Sequence, residues 1–339
     1  MIGIDDVARA VGVSPATVSR ALSGRGPVSE ATRQQVLEAA RELGYVVSSN
    51  ASGLASGRTR AVGVIVPFLN RWFYAQVLEA AQNALLAAGY DLTLYNLGGG
   101  VDTRRSVFEQ FLFRQRVDGL IAISLEVTTE EVRRLHEIGK PIVCVGGPIP
   151  GLRTLSIDDI EISRIATDHL TALGHRRIAH IAGGGGGYDF HLPLNRRVGY
   201  ELALRNAGIE PDPGLVEPAD FTIAGGHAVA ARFLADPERR PTAIFAASDE
   251  MAIGAILAAR EIGLRVPEDL SVVGIDDHEL APFFGLTTVA QYPGNQGARA
   301  VELLLSELGR DAAPSEDGEG NEPLGFDLVI RSTTAAPPA

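Results

Sequence analysis

The chain carries a single cysteine, Cys144, in 339 residues. No intrachain disulfide can form, and a lone thiol inside the apolar run Ile142-Val143-Cys144-Val145 reads as a buried strand side chain rather than a nucleophile or ligand. No segment approaches the ~20 apolar residues of a membrane span. The N-terminus also lacks a basic stretch followed by an apolar one, so a cytoplasmic location is expected. There is no GxSxG elbow, no HExxH and no cysteine pair, and the seven histidines are scattered. No enzyme activity, metal or cofactor is therefore expected; His175, in Leu173-Gly174-His175-Arg176, is expected to cap a helix end. The glycine clusters 98–100 and 183–187 lead neither into Gly-Lys-Ser/Thr nor into GxGxxG followed by an acid, and read as flexible strand-end loops.

A hydrophobic content of 45% with 21% charge marks a globular chain, long enough for two or three domains. The formal charge of −12 counts against nucleic acid only if it is spread evenly. It is not, because over residues 1–60 Arg9, Arg20, Arg25, Arg33, Arg41, Arg58 and Arg60 outnumber Asp5, Asp6, Glu30, Glu38 and Glu42. In this mildly basic head, Ile4, Val7, Ala8 and Val11 fall at helical spacing and Gly12 supplies a sharp turn. Val13, Val18 and Leu22 then give a second helix its apolar side. Ser14 suits an N-cap and Pro15 the first helical position. This is a helix-turn-helix pattern. The second helix exposes Pro15, Ala16, Thr17, Ser19 and Arg20, small groups plus one fork donor that can enter a major groove. A purely structural helical hairpin is the plainer reading of the same spacing.

A third helix is expected from Ser29 to Gly44, completing a three-helix head at 1–46. Residues 47–60 are small and polar around one large apolar side chain, Leu54, and read as a linker. Beyond 61, apolar β-rich runs at 62–66, 91–95, 119–123 and 142–145 alternate with amphipathic helices, and the rhythm restarts at 178–181, 243–246 and 270–275. The predicted class is α/β: two lobes of parallel sheet wrapped by helices, with a ligand cleft beyond the strand ends. The acidic stretch 311–323 reads as a mobile surface loop before a last strand at 326–330. The aromatic run after the first strand, Phe68 to Tyr74, offers ring faces suited to the CH face of a sugar, Phe73 before Trp72; core packing is the alternative.

These segments occur in the order and spacing of a known family. Asp6-Val7-Ala8, Gly12-Val13-Ser14, Thr17-Val18-Ser19-Arg20 and Leu43-Gly44-Tyr45 mark the head. The body continues with Leu173-Gly174-His175-Arg176, Arg196-x-x-Gly199-Tyr200, Asp249-x-Met251-Ala252-x-Gly254, Val273-Gly274-Ile275-Asp276-Asp277 and Leu286-Thr287-Thr288-Val289. The chain resembles the lac repressor/galactose repressor family of bacterial transcription regulators over essentially its whole length.

The resemblance implies a core like that of periplasmic sugar-binding proteins at 61–335, with one lobe at about 61–160 and 291–320 and the other at about 161–290 and 321–335. It implies a homodimer on double-stranded operator DNA, with a tetramer left open, and a sugar-like effector that alters operator affinity. Pro15, Ala16 and Arg20 would face bases, while Ser14, Thr17 and Ser19 would touch phosphates. Leu54 would wedge between base steps. Phe73, Phe190, Arg196, Phe221, Asp249 and Asp276 would line the effector site. Gly3 departs from the family's capping threonine, and the linker lacks its Pro and Arg. A solute receptor of transport, which would need an export signal, and an α/β enzyme with an appended DNA head, which ligand turnover would reveal, are the rival readings.

Overall fold

The computed structural model describes residues 2–23, 26–45, 58–98, 100–114, 116–147, 149, 151–184, 191–309 and 320–338. Most of the linker, Leu54 included, lies outside them. The chain divides into two compact units, residues 1–60 and 61–339.

In the first unit, α1 (Ile4–Val11) begins at Gly3, whose amide donates to Asp6 Oδ2 at 2.9 Å. Asp6 thus supplies the capping acceptor that the glycine lacks. The helix ends at Gly12, whose φ of 71° is a left-handed conformation that glycine adopts without strain. Helix α2 (Pro15–Ser23) starts where Ser14 Oγ accepts the Thr17 amide at 3.1 Å, and α3 (Glu30–Glu42) starts where Ser29 Oγ accepts that of Thr32 at 3.2 Å. Val7, Ala8, Val18, Ala21, Val36 and Ala40 close the core between the three. In so small a core, full burial of Val18 contributes about 1.5–3 kcal/mol, enough to fix how α2 sits on α1.

The second unit holds two six-stranded sheets among the described residues. In the first, β1 (Ala61–Val66), β2 (Asp91–Asn96), β3 (Gly119–Ile123), β4 (Ile142–Val145), β5 (Arg153–Ser156) and β11 (Asn321–Pro323) lie in the order β11-β5-β4-β3-β1-β2, all parallel. In the second, β6 (Ile178–Gly183), β7 (Val216–Ala219), β8 (Ala243–Ala246), β9 (Ser271–Asp276), β10 (Thr287–Ala290) and β12 (Asp327–Val329) lie in the order β12-β10-β9-β8-β6-β7, with only β12 antiparallel. Helices cover both faces of each sheet, which is why central strands such as β3 and β4 are buried at every position and read as unbroken apolar runs. Cys144 lies buried in β4, and burial pushes its thiol up to about 12.

The chain crosses from the first lobe to the second between β5 and α7 (Asp159–Ala172), and returns between β10 and α12 (Pro293–Leu308). It crosses a third time between β11 and β12. Residue 321 therefore does not open the second lobe, as its sequence suggested, because Asn321–Pro323 pairs with the open edge of β5 before the chain passes over. The same strand ends the acidic loop three residues early; backbone pairing at a sheet edge needs no apolar side chains, so composition hides it. β7 escaped notice likewise, an edge strand containing Glu217 and Pro218. His175 caps the end of α7 through its backbone, the amide donating to the Leu170 carbonyl at 3.2 Å, while its buried ring, with Nδ1 2.9 Å from Thr242 Oγ1 and Nε2 2.8 Å from the Ala335 carbonyl, ties the start of β6 to the C-terminal segment.

Helices α9 (Ile223–Leu234) and α10 (Asp249–Glu261) cross backbone to backbone. A methyl group at Gly254 would come within 2.2 Å of the Ile223 carbonyl oxygen and 2.5 Å of the His227 nitrogen. Since neither neighbour is a side chain able to swing aside, Gly254→Ala is expected to cost about 3 kcal/mol. A lower urea midpoint with an unchanged slope is the measurement that checks it.

Candidate effector cavity and DNA-reading helix

In the head, Ser14, Pro15, Ala16, Ser19 and Arg20 are exposed and Thr17 half-exposed, whereas Val18 and Ala21 between them are buried. Arg20 Nε donates to the Ala16 carbonyl at 3.0 Å, laying its guanidinium along this face. The six residues read as DNA-facing thus share one surface of α2, with Ser14 and Thr17 joined through their hydroxyls at 2.9 Å.

Between the lobes lies a cavity of about 450 Å³, within the usual range for small-ligand sites. The first lobe contributes Phe68, Arg71, Phe73, Tyr74, Ser124 and Glu126, and the second Asp159, Asn195, Arg196, Phe221, Glu250 and Asp276. Ser124, Phe221 and Asp276 hold φ of 44°, 58° and 134°. Such conformations cost non-glycine residues free energy, and they gather at ligand sites. Phe221 lies so close over Gly183 that a methyl group there would fall 1.9 Å from Cζ, so glycine is what lets the ring form the wall.

Four of the residues read from the sequence meet here: Phe73, Arg196, Phe221 and Asp276. Phe73 also packs against the first lobe's core, so its two readings hold together. Arg196, on α8 (His191–Asn206), is 3% exposed; its Nε donates to Asp159 Oδ1 at 2.8 Å and its Nη1 to the Ala247 carbonyl. Burial raises the Asp159 carboxyl, and the guanidinium offsets part of that rise. Asp276 Oδ1 accepts from Gln291 Nε2 at 2.7 Å, and burial, with the Asp249 carboxylate adding to it, lifts this carboxyl well above the usual range. Phe190 lies outside the described residues.

Asp249 does not line the cavity. It is fully buried, its Oδ1 accepting from Thr288 Oγ1 at 2.7 Å and its Oδ2 from the His278 amide at 2.9 Å, which ties the start of α10 to β10 and to the loop after β9. Its neighbours Ser248 and Glu250 face the cavity instead. Trp72 likewise turns away to pack against His278 of the other lobe, ring centroids 4.7 Å apart and the planes tilted by 35°.

Sequence reasoning missed the rim. Arg71 Nε and Nη2 donate to the Asp220 carbonyl at 3.3 and 3.1 Å, and Glu126 Oε1 accepts the His191 amide at 2.5 Å, both across the lobes. Glu250 accepts the Trp72 amide across the same gap. Tyr74, hydrogen-bonded to Ser124, has its hydroxyl pushed up to about 12 by burial. No sequence signal pointed to these contacts, which join positions far apart in the chain. Chemically the cavity offers aromatic faces, fixed forks and acceptor-only carboxylates, the set that binds a polyhydroxylated molecule. Among the described residues, no group of three or more His, Cys, Asp or Glu could hold a metal ion.

A DNA-reading head followed by a two-lobed ligand-binding core defines the class of effector-responsive transcription regulators. Residues 3–48 match the family described as bacterial regulatory proteins, lacI family, and residues 167–334 match the periplasmic binding protein-like domain. The chain is 34% identical over 343 residues to the HTH-type transcriptional repressor CytR of Escherichia coli K12, covering 98% of this chain and 96% of the relative. The lac repressor dimer bound to operator and the anti-inducer ONPF superimposes with a TM-score of 0.86 at 29% identity, 99% of each chain being covered. The complex of the transcriptional regulator CelR with cellobiose gives 0.71 at 33% identity, covering 98% of this chain and all of that one. The chain belongs to the LacI family of bacterial regulatory proteins. It is a DNA-binding transcription regulator and not an enzyme, as these relatives are.

Proposed function

We propose that the protein represses genes of carbohydrate uptake or breakdown, acting in the cytoplasm as a homodimer on a palindromic operator, and that a sugar held in the cavity changes its affinity for that operator. The observation that carries this reading is the cavity itself, walled by both lobes and crossed at its rim by hydrogen bonds. A ligand there meets groups whose spacing depends on the lobe arrangement, so it binds one arrangement better than another and shifts the equilibrium. CelR with cellobiose and the lac repressor with ONPF on operator are relatives of matching build, which supports a sugar-like effector.

On α2, Pro15, Ala16 and Arg20 read base edges, and Ser14, Thr17 and Ser19 hold phosphates. Arg20→Ala is expected to weaken operator binding by about 1–3 kcal/mol while leaving random-sequence DNA bound as before. Titration of both DNAs at one salt concentration checks this. Equal losses on the two would make Arg20 a phosphate contact.

A further inference from the structure

We propose that the effector carries no negative charge, so that the cavity takes neutral sugars and rejects their phosphorylated or carboxylated counterparts; this rests on the sugar-effector reading above. Two independent features point there. The first is charge: among the described residues, Glu126, Asp159, Asp220, Glu250 and Asp276 line the cavity against Arg71, Arg196 and one imidazole, His191, 3.4 Å from Glu126. Both guanidiniums are engaged, Arg196 by Asp159 and the Ala247 carbonyl, and Arg71 by the carbonyls of Asp220 and Asn70. Among the described residues Glu250 and Asp276 form no ion pair, and they accept from uncharged donors, the Trp72 amide and the Gln291 side chain. Burial already raises both carboxyls, so the space disfavours negative charge of any origin: an anionic ligand would have to force proton uptake there or sit against like charge at low dielectric.

The second feature is the helix N-termini, where oriented amides ordinarily attract anions. At four of the helix starts around the cavity the chain's own carboxylates take that place, while α9 and α12 carry no acidic residue in their first turns. At the start of α4 (Trp72–Ala87), the Trp72 amide donates to Glu250. In α7 the Ile160 and Glu161 amides donate to Asp158 Oδ1, both at 3.0 Å, and in α8 the His191 amide donates to Glu126. Helix α10 carries Asp249 and Glu250 in its first turn. Among the described residues, a phosphate would find both guanidiniums already engaged and a carboxylate of the chain at each of these helix starts. The hydroxyls of a neutral sugar, by contrast, can donate to the carboxylates and accept from Asn195 or Gln296.

The test is calorimetry and thermal shift on the full chain with matched pairs: glucose and glucose 6-phosphate, ribose and ribose 5-phosphate, galactose and galacturonate, cellobiose and its 6′-phosphate. Stabilisation is expected from neutral members only, with the anionic counterpart of any binder at least about a hundredfold weaker. Glu250→Gln keeps an acceptor for the Trp72 amide while removing charge, and is expected to narrow that ratio, a readout that loss of stability alone does not move. An anionic member that binds as tightly as its neutral counterpart, or a ratio unmoved in Glu250→Gln, overturns the charge inference and leaves the sugar reading standing. Absence of binding by every sugar, charged or not, overturns the sugar reading and this inference with it.

Discussion

Arg196→Ala is expected to lower the stability of the core by about 3–5 kcal/mol, a large part of the roughly 5–15 kcal/mol that holds a domain folded. The side chains of Arg196 and Asp159 are 4% and 16% exposed, and their contact is 2.8 Å. Removing the guanidinium strands a largely buried carboxylate and takes the donor from the Ala247 carbonyl. Replacing both partners by apolar side chains of similar size, Arg196→Met with Asp159→Leu, removes both charges together and is expected to restore most of the loss. The double variant should still bind operator yet ignore the effector. Urea unfolding followed by the fluorescence of Trp72, the one tryptophan, reports the core alone. A single Arg196→Ala variant as stable as the parent would mean that the pair contributes no net stability.

Asp249 gives the second large effect, with a sign that depends on the replacement. Alanine leaves the His278 amide and the Thr288 hydroxyl buried without an acceptor, at a cost of about 3 kcal/mol. Asparagine can accept from the amide and donate to the hydroxyl, so Asp249→Asn is expected to remain close to wild type. Burial, opposed by those two hydrogen bonds, pushes the Asp249 carboxyl up to about 7, against about 3.9 in an unfolded chain. Between those values the folded state binds the extra proton. Its stability therefore falls as pH rises from about 4 to about 7 and levels off above. Asp249→Asn lacks that proton and should lack that slope, so unfolding at several pH values separates the two proteins. Effector affinity in Asp249→Asn is expected to be unchanged; a tenfold loss would bring the side chain back into the site.

The head was almost fully legible before its structure. Its signals are local: apolar spacing sets the buried faces of α1 and α2, Gly12 turns the chain, and Ser14 and Ser29 cap within three residues of their own positions. Alternation of strand and helix likewise announced two parallel sheets, because strands covered on both faces must be apolar throughout. Much of the family pattern proves to be packing. Tyr200 donates to the Ile178 carbonyl at 2.8 Å, a methyl group at Gly199 would fall 2.1 Å from the Ile160 carbonyl, and Asp277 pairs with Arg331.

The cavity was legible only in part. Phe73, Arg196, Phe221 and Asp276 could be named in advance, but Asp159, Glu126 and Arg71 act through partners 37, 65 and 149 positions away, and no local pattern encodes such pairings. The motif at 249–254 marks an important turn without telling which of the residues around it meets the ligand. Successive residues on a helix point about 100° apart, so at the start of α10 Ser248 and Glu250 reach the cavity while Asp249 turns inward to Thr288 and His278. Composition and spacing establish that a carboxylate stands there. Where it points depends on how α10 is rotated against β9 and β10, and contacts distant in the chain set that rotation.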